Sequence, residues 1–218
     1  MARIEFNKSG ERFYETGVRN TVLYVQNSNG EYGTGVAWNG VTNITEKPTG
    51  AEPTPLYADD TKYVTLTSVE ELEAAIEAYT YPDEFMECDG SAELAPGVTV
   101  GQQPRKSFGL CYRTSLGNDI AGNDYGYKLH LIYGAKASVS EKAYSTINDN
   151  PEANTCSWDL STTPVEVDGM KPTSLVTIDS TKVDSAKLKE LEDMLYGTET
   201  AEPTLPMPNE IAALFGKA

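Results

Sequence analysis

Histidine is almost absent from this chain: His130 is the only one in 218 residues. Cysteine is scarce as well. Cys88, Cys111 and Cys156 are odd in number and show no C-x-x-C spacing, so they build neither a disulfide framework nor a zinc ribbon. A reduced compartment is therefore expected. Basic residues number 17 against 33 acids, and the net charge is −16. That excludes a protein that grips nucleic acid by neutralising phosphates, and one held on an anionic membrane by a basic surface. No apolar run reaches transmembrane length. The N-terminal MARIEFNKSGERFYE lacks the apolar centre of a secretory signal. Gly-rich phosphate loops, the G-x-S-x-G elbow and H-E-x-x-H are all missing. The expectation is a chain that is not an enzyme, with no catalytic residues, cofactor or metal.

What is present is alternation with a period of two. In YGYKLHLIY, Tyr125, Tyr127, Leu129, Leu131 and Tyr133 share one face, and Gly126, Lys128, His130 and Ile132 share the other, which predicts a half-buried strand. TCSWDLS places Cys156, Trp158 and Leu160 together, and KSFGLCYR does the same for Phe108, Leu110 and Tyr112. Short runs at Val22–Val25, Val36–Trp38, Tyr63–Val69 and Thr173–Ile178 read as further strands. Turn residues at Asn29-Gly30, Gly117-Asn118-Asp119 and Asp168-Gly169 separate them.

Helices are few. SAKLKELEDMLYG carries a Leu188, Leu191 and Leu195 stripe between an Asp184 cap and Gly197. PNEIAALFG repeats the pattern near the C-terminus with Ile211, Leu214 and Phe215. VEELEAAIEAYTYP fits a helix by composition and a strand by alternation, and Ala74–Tyr81 is read as strand. The fold class is mainly β, α+β at its margin: a β-sandwich or barrel flanked by one main helix, in one domain over residues 1–218. A chain of this length buries about 70 % of its unfolded surface, enough for a core without staples. Two segments, 46–61 and 82–103, read as long irregular loops, which in compact domains are usually interaction surfaces.

Polar residues that resemble catalytic groups have simpler readings. His130 falls on the polar strand face beside Lys128 and is expected as a solvated or interface histidine. Asp59 and Asp60 are consecutive, so on extended chain they point apart and cannot face each other across a substrate. GNDIAGNDYG lacks the calcium-loop order and reads as a hairpin connection. Trp158, sharing a face with Leu160, is expected to be buried.

Several segments together resemble one known family. They are GVAWNGVTNITEKPTGAEPTPLYADDTKYVTLTS, IEAYTYPDEFMECDGS, APGVTVGQQPRKSFGLCYRT, GNDYGYKLHLIYGAKASVSEKAYSTIND, TTPVEV and LVTIDS. The combination of AYTYPDEF, a CDG turn and GQQ-x-RK-x-FG is similar to the major tail proteins of long-tailed, non-contractile phages and prophages of Gram-positive bacteria, from about Val18 to about Ala213. The resemblance implies a structural virion protein. Its subunits would form stacked hexameric rings around a lumen, in a tail tube assembled in the host cytoplasm. The implied partners are other copies of the chain, a tape-measure protein in the lumen, tail terminator and tail-tip or baseplate proteins at the ends, and genomic DNA that passes without specific binding; no membrane is implied. The alternative is a non-catalytic β-sandwich binding module of a phage tail or baseplate. On the tube reading, EPTPLYADDTKY is an interface loop. The expected contact residues are Pro53, Pro55, Leu56, Tyr57, Asp59 and Asp60, joined by Tyr81 and Phe85 from the second loop.

Overall fold

The computed structural model describes residues 4–147 and 153–216. Its strands are β1 (Phe13–Val25), β2 (Val36–Ala37), β3 (Val41–Gly50), β4 (Pro53–Ala58), β5 (Thr61–Thr67), β6 (Glu70–Ala78), β7 (Ala92–Ala95), β8 (Val98–Val100), β9 (Phe108–Asn118), β10 (Gly122–Ala137), β11 (Cys156–Thr162) and β12 (Leu175–Asp179). Its helices are α1 (Met86–Asp89), α2 (Ser185–Tyr196) and α3 (Pro208–Phe215). The fold is mainly β, as the alternation implies. The stretch Glu70–Ala78 is strand throughout, with Ala74, Ile76 and Ala78 buried on one face.

Among the described residues, eight strands form one antiparallel sheet in the order β2-β1-β9-β10-β11-β6-β3, with β12 branching from β10. Strand β10 changes partner along its length. Lys128–Ile132 pair with β12, and Ala135–Ala137 pair with β11. Gly134 sits at the changeover with φ +60°, where the register with β9 also slips. A Cβ there would stand 2.3 Å from the Thr163 carbonyl oxygen. The bend folds the β11–β6–β3 layer over the β1–β9–β10 layer, and β3 returns to contact β1.

The space between the layers holds the first core. Leu23, Phe108, Leu110 and Ile132 from one side meet Ala74, Ile76, Trp158 and Leu160 from the other. The outer face of β1–β9–β10–β12 holds the second. There Val22, Tyr24, Cys111, Leu129, Leu131 and Tyr133 lie beneath Leu188, Leu191 and Leu195 of α2 and Ile211 of α3. Asp184 Oδ1 accepts the Ala186 and Lys187 amides, so the N-terminus of α2 is capped as its sequence implies. Tyr24 donates to the Leu195 carbonyl at 2.6 Å, and Tyr133 to the Pro206 carbonyl at 2.8 Å. These two hydroxyls fix the helical layer to the sheet and satisfy groups that burial would otherwise penalise.

Covering both faces overturns the half-buried reading of β10. Ile132 belongs to the inner core, and His130 is only 8 % exposed. The two segments read as irregular loops are also ordered. Residues 46–61 hold the end of β3, all of β4 and the turn into β5. Residues 82–103 hold a 3-10 turn at Asp83–Phe85, then α1 and the β7–β8 hairpin.

Gly134→Ala is expected to lower stability by about 1–3 kcal/mol for the left-handed backbone alone, with the Thr163 collision in addition. Gly97 is the control: its φ is +76°, but a Cβ there meets nothing within 4 Å. Urea midpoints of the two alanine variants should separate clearly, with Gly134→Ala the lower.

Candidate assembly surface

The β3–β6 pair does not stop at the body of the protein. Beyond Gly50↔Glu70 the chain continues as the β4–β5 ribbon, with Pro53 opposite Thr67 and Ala58 opposite Thr61. Asp59 and Asp60 close it with φ +48° and +59°. Two consecutive positive-φ residues are what a two-residue type I′ hairpin needs, and Asp is among the residues that tolerate them. The aspartate pair is therefore a turn at the tip of an arm.

Every residue of β4 is exposed. Pairing places Leu56, Val64 and Leu66 on one face of the ribbon, exposed by 44, 40 and 56 %. Tyr63 and the prolines lie on the opposite face, and Tyr57 and Tyr63 are more than two-thirds exposed. A ribbon of two strands is marginal in water without a surface to pack on. Apolar side chains on both of its faces mark a surface that another molecule covers.

Six of the eight expected contact residues thus lie together: Pro53, Pro55, Leu56, Tyr57, Asp59 and Asp60. The other two do not belong with them. Phe85 is fully buried, and half-buried Tyr81 packs edge-on against it and against Trp158, at ring centroid distances of 5.9 and 5.5 Å. Trp38 completes the cluster 4.4 Å from Phe85. Segment 79–89 is a plug for the end of the inner core. Asp89 holds it in place, accepting from Trp158 Nε1 at 2.9 Å and from Lys142 Nζ at 2.6 Å. Both tryptophans are buried, so neither forms an exposed platform for a sugar ring.

Among the described residues, the face of the β3–β6–β11 layer turned away from the core carries no helix. Register places Asn43, Thr45, Lys47, Thr49, Glu71, Glu73, Ala75, Glu77, Ser157, Asp159 and Ser161 on it. Four carboxylates there face one lysine, Lys47, which pairs with Asp159 at 3.2 Å. Between the glutamates and Lys47 stand the shorter Asn43, Thr45, Thr49, Ala75, Ser157 and Ser161, and the surface is polar and acidic. Alternation along β6 already sets Glu73 and Glu77 opposite Ala74 and Ile76; only the pairing with β3 and β11 gathers the four acids on one face.

His130 has an internal role in place of the solvated one expected. Its ring stacks on Tyr112 at 4.8 Å, with Nδ1 3.0 Å from Glu46 Oε1 and Nε2 3.3 Å from Glu15 Oε1 and 3.1 Å from Thr114 Oγ1. Tyr112 also donates to Glu46. Glu46 comes from β3 and Glu15 from β1, so the cluster clamps the two layers where the sheet curls back on itself. The Glu46 pKa is lowered chiefly by the His130 hydrogen bond, with Tyr112 adding, against an opposing desolvation. At Glu15, desolvation is outweighed by hydrogen bonds from Lys128 and Thr114, and its pKa is also lowered. The hydroxyl beside the ring, Thr114 Oγ1, donates to Glu15 Oε1. Cys88 and Cys111 are buried, with pKa values raised to about 12, mainly by desolvation. Among the described residues, no group of three or more His, Cys, Asp or Glu is placed to hold a metal ion, and no helix is long and apolar enough to cross a membrane. The three cysteines are free thiols.

A carboxylate with a depressed folded pKa stabilises fully above its unfolded value and loses that contribution as pH falls through the folded value. Glu46→Gln should cost about 1.5–3 kcal/mol at neutral pH, the range for hydrogen bonds to a charged group. It should also lose less stability than the parent on acidification from about pH 6 to about pH 3. Urea titrations at the two pH values check both statements; an equal acid loss in parent and variant would refute the second.

No protein-family model matches the sequence, and no curated protein matches it either.

Proposed function

We propose that this chain is a major tail tube subunit of a long-tailed, non-contractile phage or prophage, assembling as stacked hexameric rings. The observation that carries the reading is the β4–β5 arm: an ordered ribbon with apolar side chains on both faces and no cover from the described residues of its own chain. Sequence resemblance supplies the family, and the arm supplies a physical reason for self-association. A contact between an arm and a different surface of the next copy is heterologous, and such contacts close into rings or propagate as filaments. A stacked tube uses both outcomes.

The bare face of the β3–β6–β11 layer is the surface best suited to the lumen. A wall that lets duplex DNA slide must not release counterions by gripping phosphates. Short polar side chains and an excess of carboxylates meet that need. Since β3 and β6 run directly into the arm, the lumen wall and the arm are one continuous strand pair. In this arrangement the arm leaves the wall toward a neighbouring copy. The partners follow from the same reading: a tape-measure protein inside, end-capping tail proteins, and DNA in transit. Buried Trp38 and Trp158 leave the sugar-binding alternative without its usual platform.

Replacing residues 51–69 by Asn-Gly joins Gly50 to Glu70 through a favourable two-residue turn. The variant should keep the parent's circular dichroism and urea midpoint but form no rings or tubes in negative-stain images of concentrated protein. Tubes from the armless variant would remove the arm from assembly. A parent chain that stays monomeric at all concentrations and salts would overturn the tube reading itself.

Salt and DNA give a second check. Copies that each carry −16 repel one another. The screening length falls from about 30 Å at 0.01 M salt to about 8 Å at physiological salt. Assembly should therefore become easier as salt rises over that range. Assembled tubes should not retain duplex DNA at low salt, where a basic wall would bind it best; retention would refute the acidic lumen.

A further inference from the structure

The arm needs a seat, and the body of the protein offers one. Strand β12 pairs only with β10 among the described residues, so its far edge is open. Beside that edge lies a groove of about 670 Å³ running to α3, walled by Val167, Met170, Val176, Ile178, Ile211 and Phe215. Met170 is 63 % exposed at its mouth. An open strand edge beside apolar side chains is a liability in a soluble protein unless something covers it. The described part of the chain's own arm does not do so, because all of β4 is exposed.

We propose that the groove between β12 and α3 receives the β4–β5 arm of a second copy of this chain. The inference rests on the self-assembly reading and names the surface it requires. Three observations select this occupant. First, the arm presents the matching chemistry. Leu56, Val64 and Leu66 form an apolar strip on one face, and a ribbon is the shape that an open edge and a long groove accommodate. Second, the charges complement each other. The arm carries Glu52, Asp59 and Asp60 against one base, Lys62. The groove is lined by Lys171 and Lys182 against one acid, Asp179, which lies 3.2 Å from Lys182. In a chain of net charge −16, an apolar groove with a basic excess is a local exception that favours an acidic guest. Third, the groove wall can adapt: Met170, at the mouth, is a flexible side chain that repacks around a guest. The arm seats by its apolar strip, and its acidic residues meet the two lysines.

The test uses the full chain with Cys156→Ser, since Cys88 and Cys111 are buried and slow to oxidise. Leu56→Cys is combined with Met170→Cys, and non-reducing gels after mild oxidation are compared with each single variant. The pair should give a ladder of crosslinked species that neither single variant gives. Separately, Lys171→Glu with Lys182→Glu should raise the protein concentration needed for association at least tenfold. Neutralising the tip with Asp59→Asn and Asp60→Gly, which suits the same turn, should recover part of that loss.

A ladder together with tubes supports both the groove and the tube. A crosslink confined to discrete dimers that exchange arms supports the groove and overturns the tube. Tubes with neither crosslink nor sensitivity to the lysine changes overturn the groove and leave the tube standing. No association of the parent chain under any condition overturns both.

Discussion

At Gly134 strand β10 leaves one layer of the sheet and enters the other, and the rest of the architecture depends on that bend. The backbone is left-handed there, and the Thr163 carbonyl occupies the space a side chain would need. Thr163 donates its amide to the Gly134 carbonyl at 3.0 Å, so the crossing is held as well as permitted. Because β10 turns, β11 takes over its edge beyond Gly134 while β12 pairs before it. A straight β10 would offer its whole edge to a single partner and give an open sheet. The bent one yields two layers with an inner core, and frees the outer face of the first layer for α2 and α3.

Burial on both faces of β1, β9 and β10 then sorts the charge. Few charged groups enter the cores, and those that do are paired, as isolated buried charges would be prohibitive. Asp89 meets Lys142 and Trp158, and Glu46 meets His130 and Tyr112. The other acids stay at the surface: Glu71, Glu73, Glu77 and Asp159 gather on the outer face of β3–β6–β11, and Glu190, Asp193 and Glu210 lie on α2 and α3. An acidic wall and a helix-covered back are thus two consequences of one layered packing. Placement of charge by packing, more than its total, is what gives that one face its acidic character.

Much of this was legible in the sequence, and the failures have physical causes. Helix α2 could be read because its leucine stripe, Asp184 cap and Gly197 stop all agree. Strand β11 could be read from Trp158 and Leu160. His130 could not be placed, because alternation reports polarity and not burial. A histidine between two glutamates from distant strands looks the same in sequence as one in water. Phe85 misled for the opposite reason. After Tyr81-Pro82 it resembled a decorated loop, yet the 3-10 turn carries it into the inner core. In sequence EPTPLYADDTKY, with its two prolines, reads as irregular chain. Its alternation continues through them, and only the pairing with β5 reveals a ribbon.

Those prolines explain how an exposed ribbon avoids indiscriminate pairing. Pro48, Pro53 and Pro55 lie along the line of β3 and β4, the edge away from β6 and β5. Strand pairing is kept opposite all three, with Leu72, Thr67 and Thr65, so the missing N–H groups are those that would face outward. A second strand adding there would lack donors at three positions. Natural sheets use proline on edges in this way to block open-ended aggregation. Association through this edge is therefore disfavoured, and the side chains of the ribbon are left to choose the partner. Choice by side chains requires shape and charge to match, whereas choice by backbone would accept any strand. Proline also stiffens the free arm, lowering the entropy lost on docking. On the tube reading proposed above, one set of residues thus both restrains the wrong contact and favours the right one.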